Sequence, residues 1–304
     1  MRKEWIFPGT AVLLGAAGFG LRRWERATAF EPETGLVTPG MPSTMALLAL
    51  CAAAAALCAL LGYSQRRGWQ EDYDEAFQVE DCFPYLMGMI LSAFLLLAGT
   101  VLEMIDILRV LVDYQAARAA AGPLEGVPNP LPGLFLPALR AGLAMAAAFC
   151  IAAVGRRRYR GEQVGKYSGL LLTPAYFCCV WLISAYQPRT ADPVVEDYIY
   201  ELLAIICALL ACYYLAGFSF ERPKVGRTVF CCLLAICLSM TTLADGHSWA
   251  YVAFYAFAIC YSALSAAFLL RGASASSWPK VFRRETWQRK KEEQEREDNP
   301  NEAS

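Results

Sequence analysis

Apolar positions in this chain follow neither the two-residue period of a half-buried strand nor the one-sided stripe of a surface helix; they run on almost unbroken for about twenty residues at a time. Eight such runs fall near residues 5–21, 44–63, 84–102, 131–154, 168–186, 199–219, 228–244 and 248–270. A hydrocarbon core about 30 Å thick is crossed by roughly 20 helical residues, so each run is a candidate transmembrane span. The first resembles a secretory leader, with Arg2 and Lys3 ahead of an apolar run, but seven more spans follow it and no small-residue cleavage site does. It is read as a retained, glycine-rich first helix.

The connections between runs are short, which makes successive helices antiparallel neighbours. The expected fold is all-α, a polytopic bundle of about eight antiparallel spans. Residues 1–270 form the membrane domain and 271–304 a charged tail. The inner turns share a coarse pattern, Arg66-Arg67-Gly68, Gly155-Arg156-Arg157-Arg158 and Glu221-Arg222-Pro223, no more alike than the positive-inside rule would make them.

Composition agrees. The 304 residues are 57% hydrophobic and 18% charged, with a mean hydropathy of +0.35, too apolar for a soluble domain of this size. The net charge of -1 says little, because the 27 basic residues are unevenly placed. Twenty lie on the side that holds the C-terminus and six on the other, Arg22, Arg23, Arg26, Arg109, Arg118 and Arg189, with Arg140 inside a span. The positive-inside rule then puts both termini in the cytoplasm. Arg22, Arg23 and Arg26, in the first outer loop, run against the rule; a reentrant first helix is the alternative. Short loops and the absence of targeting signals point to a bacterial-type inner (cytoplasmic) membrane.

Candidate chemistry is sparse. Eleven of the twelve cysteines lie inside spans, Cys82 being the exception, and their spacing suits packing rather than metal ligation or redox work. A single histidine, His247, excludes an HExxH zinc site, a two-histidine metal site and a bis-histidine haem. There is no Walker A loop and no nucleophile elbow. No cofactor is expected, and nothing points to nucleic acid. No lysine and no deep carboxylate lies in a span, which weighs against Schiff-base chemistry and ion-coupled transport. Ser92, Ser184, Ser239, Thr241 and Thr242 leave a hydroxyl nucleophile open, although membrane-helix hydroxyls usually bond a preceding carbonyl.

Loop charge is read mostly as surface. The basic segment 155–167 is a topology determinant before it is an anionic-lipid site. The acidic segment 64–83 reads as solvated surface, and residues 279–297 as an aromatic and basic helix at the cytoplasmic face.

Two features stand apart. Above the third span, TVLEMIDILRVLVDY continues as an amphipathic helix with Asp106, Arg109 and Asp113 at roughly 240° to 300° from Glu103 at 100° per residue. The opposite face, Met104 to Val112, must pack on something protein-like. Arg140 is an intramembrane charge roughly 13 Å below the outer edge by helical rise, with Pro137 one turn before it. Such a charge needs a partner. Glu103 is the first candidate, Asp106 the second and Glu201 the third. Either a salt bridge fixes the third and fourth spans, or Arg140, Glu103, Asp106, Arg109 and Glu201 line an outer vestibule with help from Tyr198, Tyr200, Tyr251 and Tyr255.

The expected protein is a non-enzymatic sensor or accessory component with an outward-facing polar cavity. A small-solute permease or transporter subunit is the alternative, and an intramembrane enzyme with a hydroxyl nucleophile the third reading. Expected partners are the lipid bilayer, another membrane protein and a small polar or anionic ligand.

Overall fold

The computed structural model describes residues 3–31, 36–65, 73–77, 79, 82–120, 128–165, 167–189, 194–220 and 223–275. Eight long helices cover the eight apolar runs: α1 (Lys3–Thr28), α2 (Pro42–Ser64), α4 (Phe83–Ala120), α5 (Leu131–Tyr159), α6 (Ser168–Tyr186), α7 (Val195–Gly217), α8 (Val225–Thr242) and α9 (Trp249–Ala275), with a single-turn α3 (Tyr73–Ala76) between α2 and α4. All eight are long and apolar enough to span a membrane. The protein is an all-helical, multi-pass membrane bundle. The expected tail helix at 279–297 lies outside the described residues, as do most of the acids and arginines of 64–83.

Helices α4 to α9 close a ring, each packing on the next and α9 returning to α4. The α1–α2 hairpin packs on its flank, both helices against α8 and α1 also against α9. In its most apolar window α8 is 72% buried and α2 only 22%, so α8 is the central helix and α2 the peripheral one. Small residues permit the close approach: a Cβ on Gly18 would stand 2.2 Å from Thr241 Oγ1 across the α1–α8 contact. The hydroxyls of α8 turn inward on their own helix, Thr241 donating to the Cys237 carbonyl at 2.9 Å and Thr242 to the Ser239 carbonyl at 3.0 Å. All twelve cysteines are free thiols. Aromatic rings fill the ring's interior: Phe177 and Trp181 of α6 meet Phe254, Tyr255 and Phe257 of α9 at centroid distances of 4.9 to 6.1 Å.

Three expectations need correction. The second and third spans are not close neighbours; α2 lies on α8 and α4 on α9, because the connection between them is long enough to carry α3 across the end of the bundle. The first span does not stop at residue 21 but continues to Thr28, so Arg22, Arg23 and Arg26 are helical. The acidic segment is not merely solvated. Asp74 accepts from the backbone amides of Val164 and Gly165, both at 3.0 Å, and pairs with the buried Arg158 at 3.1 Å. Arg158 also donates to the Phe77 carbonyl at 2.6 Å, so the acidic and basic connections clamp each other at the end that carries the termini.

Candidate functional site

The end opposite the termini is where charge enters the bundle. One helical turn beyond Pro137, Arg140 points into the ring and is 4% exposed, as is Glu103. Its Nε donates to Glu103 Oε1 at 2.8 Å, and its Nη2 donates to the same oxygen. Its Nη1 donates to Ser184 Oγ at 2.7 Å and to the Tyr251 hydroxyl at 2.5 Å, while the guanidinium lies 4.6 Å from the centroid of the Tyr251 ring. One side chain thus joins α4, α5, α6 and α9. Oε2 of Glu103 is buried and meets no hydrogen-bond donor among the described residues.

A second charged cluster joins α1, the α6–α7 connection, α7 and the α8–α9 turn. Arg22 is 0% exposed; it donates at 2.7 Å each to Asp245 Oδ1, Glu25 Oε2 and the Asp197 carbonyl, and lies 5.0 Å from the Tyr200 ring centroid. Arg26 reaches both Asp245 and Asp197 at 2.9 Å. Arg189 pairs with Glu201 at 2.8 Å and more loosely with Asp197 at 3.7 Å. Two of the three arginines that run against the positive-inside rule, Arg22 and Arg26, therefore pair with carboxylates, of which Glu25 and Asp245 are buried, while Arg23 is exposed. The carboxylates compensate the charge that Arg22 buries.

Between the two clusters lies a cavity of about 210 Å³ lined by Ala185, Pro188, Arg189, Glu201, His247, Ser248 and Tyr251. Tyr251 belongs to both its wall and the Arg140 cluster. One turn deeper on α6 and α9, Trp181 and Tyr255 are fully buried and close the floor. Asp245 Oδ2 and His247 Nε2 are buried and without hydrogen-bond partners among the described residues. A larger cavity of about 300 Å³ beside the α1–α2 connection has no charged lining residue and is the weaker candidate.

The expected vestibule is thus partly assembled. Arg140 and Glu103 meet directly; Glu201 lines the cavity, reached from Arg140 only through Tyr251; Tyr200 and Tyr198 sit against Arg22 and Arg189. Asp106 and Arg109 do not belong to it. They pair with each other at 3.2 Å on the exposed side of α4. The opposite face of α4 also stays open: Ile107 is buried, whereas Met104, Leu108 and Val112 are exposed. Arg22, Arg26, Arg189, Asp197, Asp245, His247 and Ser248 were not anticipated. For Arg22 and Arg26 alone the sequence holds a signal, Glu25 at i+3 and Arg26 at i+4 of a helix that continues past residue 21.

Burial pushes the His247 imidazole below its ordinary value; Asp245 opposes the shift and Arg189 and Arg26 add to it. A depressed folded-state value means that the unfolded chain binds the proton more readily. This contribution to stability is complete above about pH 6.5, the ordinary value, and is lost as pH falls toward the depressed one. The melting temperature of wild type minus that of His247→Gln should therefore fall on acidification from neutral pH. A difference that rises on acidification would contradict the buried neutral imidazole.

Among the described residues no three Cys, His, Asp or Glu side chains converge in a way that could hold a metal ion. Comparison of the chain with known protein families, characterised proteins and solved structures found no match.

Proposed function

We propose that this is a non-enzymatic membrane sensor or accessory subunit that takes a small polar solute into the cavity between Arg189, Glu201, His247 and Tyr251, with both termini in the cytoplasm and the cavity facing outward across the cell membrane. The observation that carries the reading is a pocket whose lining offers charged and hydroxyl groups, with the buried rings of Trp181, Phe254, Tyr255 and Phe257 deeper along α6 and α9 than the lining residues Ala185 and Tyr251. A pocket with convergent polar groups over a packed floor suits binding. The packed floor favours it over a permease. An accessory role gains support from α4, whose Met104, Leu108 and Val112 offer a second membrane protein an apolar surface.

Ser248 is exposed at the mouth. Ser248→Trp should abolish any solute-dependent rise in melting temperature while leaving the unliganded protein's melting unchanged. Proteoliposomes carrying the wild-type protein should not accumulate the solute that stabilises it; accumulation would favour the permease instead.

A further inference from the structure

The charged cluster that borders the far-end cavity is not electrically balanced. Three guanidinium groups, Arg22, Arg26 and Arg189, are distributed over four carboxylates, Glu25, Asp197, Glu201 and Asp245, among the described residues. The Arg140–Glu103 pair is neutral within itself. The described cluster thus carries one more negative than positive charge, and Glu201 is its carboxylate in the cavity lining. Asp245 Oδ2 is buried without a donor, and Glu201, itself 3% exposed, presents its carboxylate to the cavity wall. A buried carboxylate is stable when a positive charge or several donors face it.

Two further lining groups, His247 and Ser248, can accept. His247 Nε2 is buried and without a hydrogen-bond partner among the described residues. In the neutral imidazole that nitrogen can carry the lone pair. Ser248 adds a hydroxyl oxygen to the same wall. Glu201, His247 Nε2 and Ser248 Oγ make a set of three acceptors, and an ammonium has three donors and no acceptor. An anion would meet the opposite arrangement. The nearest cation, Arg189, is already engaged by Glu201 and Asp197, and an anion seated there would face Glu201 and Asp245 at close range.

We propose that the cavity binds a small organic cation, an alkylammonium group held by Glu201, His247 and Ser248. The proposal rests on the cavity being a ligand site and replaces the anionic half of the expected ligand class with a cationic one. It also gives the surplus carboxylate a partner that arrives with the ligand. Binding would then tighten the link between the α8–α9 turn and α7, because Glu201 and His247 stand on different elements.

Three probes of one shape and different charge test it on the full-length protein in detergent: propylammonium, propanol and propionate, followed by melting temperature and isothermal titration at neutral pH. Propylammonium should bind and raise the melting temperature in a saturable way, and the other two should not. Glu201→Gln should weaken propylammonium by about tenfold or more, the size of one lost charge-assisted hydrogen bond. Ser248→Ala, at an exposed position where folding is not at risk, should weaken it by a smaller factor. Unchanged affinity in both variants overturns the assignment. Preferred binding of propionate or propanol also overturns it while leaving the pocket a ligand site; no binding of any of the three overturns both readings together.

Discussion

Arg140→Ala should lower the stability of the detergent-solubilised protein by about 3–5 kcal/mol, because removing one partner of a buried ion pair leaves the other charge without compensation. Glu103 is the group left behind, and it already has one oxygen without a donor. Ser184 and Tyr251 lose their donor at the same time. Glu103→Ala should cost a similar amount by stranding the guanidinium. The double variant should cost little more than either single one, since each removes the same interaction, and additive losses would show that the two residues do not act as a unit. Arg140→Lys should recover only part of the loss, because an ammonium cannot place planar donors on Glu103, Ser184 and Tyr251 together. The replacement that decides the purpose of the pair is Arg140→Met with Glu103→Leu. Buried pairs exchanged for apolar residues of similar size are often neutral or stabilising. Stability retained with loss of ligand binding would mark the pair as part of the binding apparatus, reached through Tyr251. Stability retained with binding intact would mark it as a device of helix packing.

The membrane fold was legible because its signal is local: a run of about twenty apolar residues needs no knowledge of the rest of the chain. The pairing of Arg140 with Glu103 was legible for a related reason, since the two helices follow each other in sequence and a lone charge in such a run demands a partner. The periodicity of α4 separates its charged positions from its apolar ones but does not say which positions are buried, and Met104, Leu108 and Val112 on the apolar side are exposed. Glu103 and Ile107 lie one turn apart on the buried side, and that contact turns Asp106 and Arg109 outward. Which face a helix buries is decided by its neighbours, and α5 and α9 are the neighbours here. The far-end cluster was hidden for the same reason in stronger form. Hydropathy falls at Arg22, so the first span was ended there, yet an arginine is a good helix former and the helix runs on. Its principal partner, Asp245, is 223 residues away in the chain. Nothing local to either residue announces the other.

Arg22 is therefore the position where the largest unforeseen effect is expected. Its guanidinium is fully buried and serves Asp245, Glu25 and the backbone of Asp197, three elements that otherwise share no covalent connection near this end. Arg22→Ala should cost about 3–5 kcal/mol by leaving two buried carboxylates facing each other with only the partly exposed Arg26 to compensate Asp245. Arg23→Ala, one residue on and exposed, should change stability by less than about 0.5 kcal/mol, and the contrast removes helix propensity and net charge as explanations. Asp245→Asn in the Arg22→Ala background should restore part of the loss, because it removes the charge that was stranded and keeps an oxygen for Arg26. If instead the second substitution adds a further penalty of its own, Asp245 is stabilised by something other than Arg22. The same double variant leaves the net charge beside the cavity unchanged, because it removes one guanidinium and one carboxylate together. Its affinity for propylammonium should hold where its stability has recovered, whereas Asp245→Asn alone, which removes the surplus negative charge, should lower that affinity; the contrast separates the structural role of the cluster from its electrostatic one.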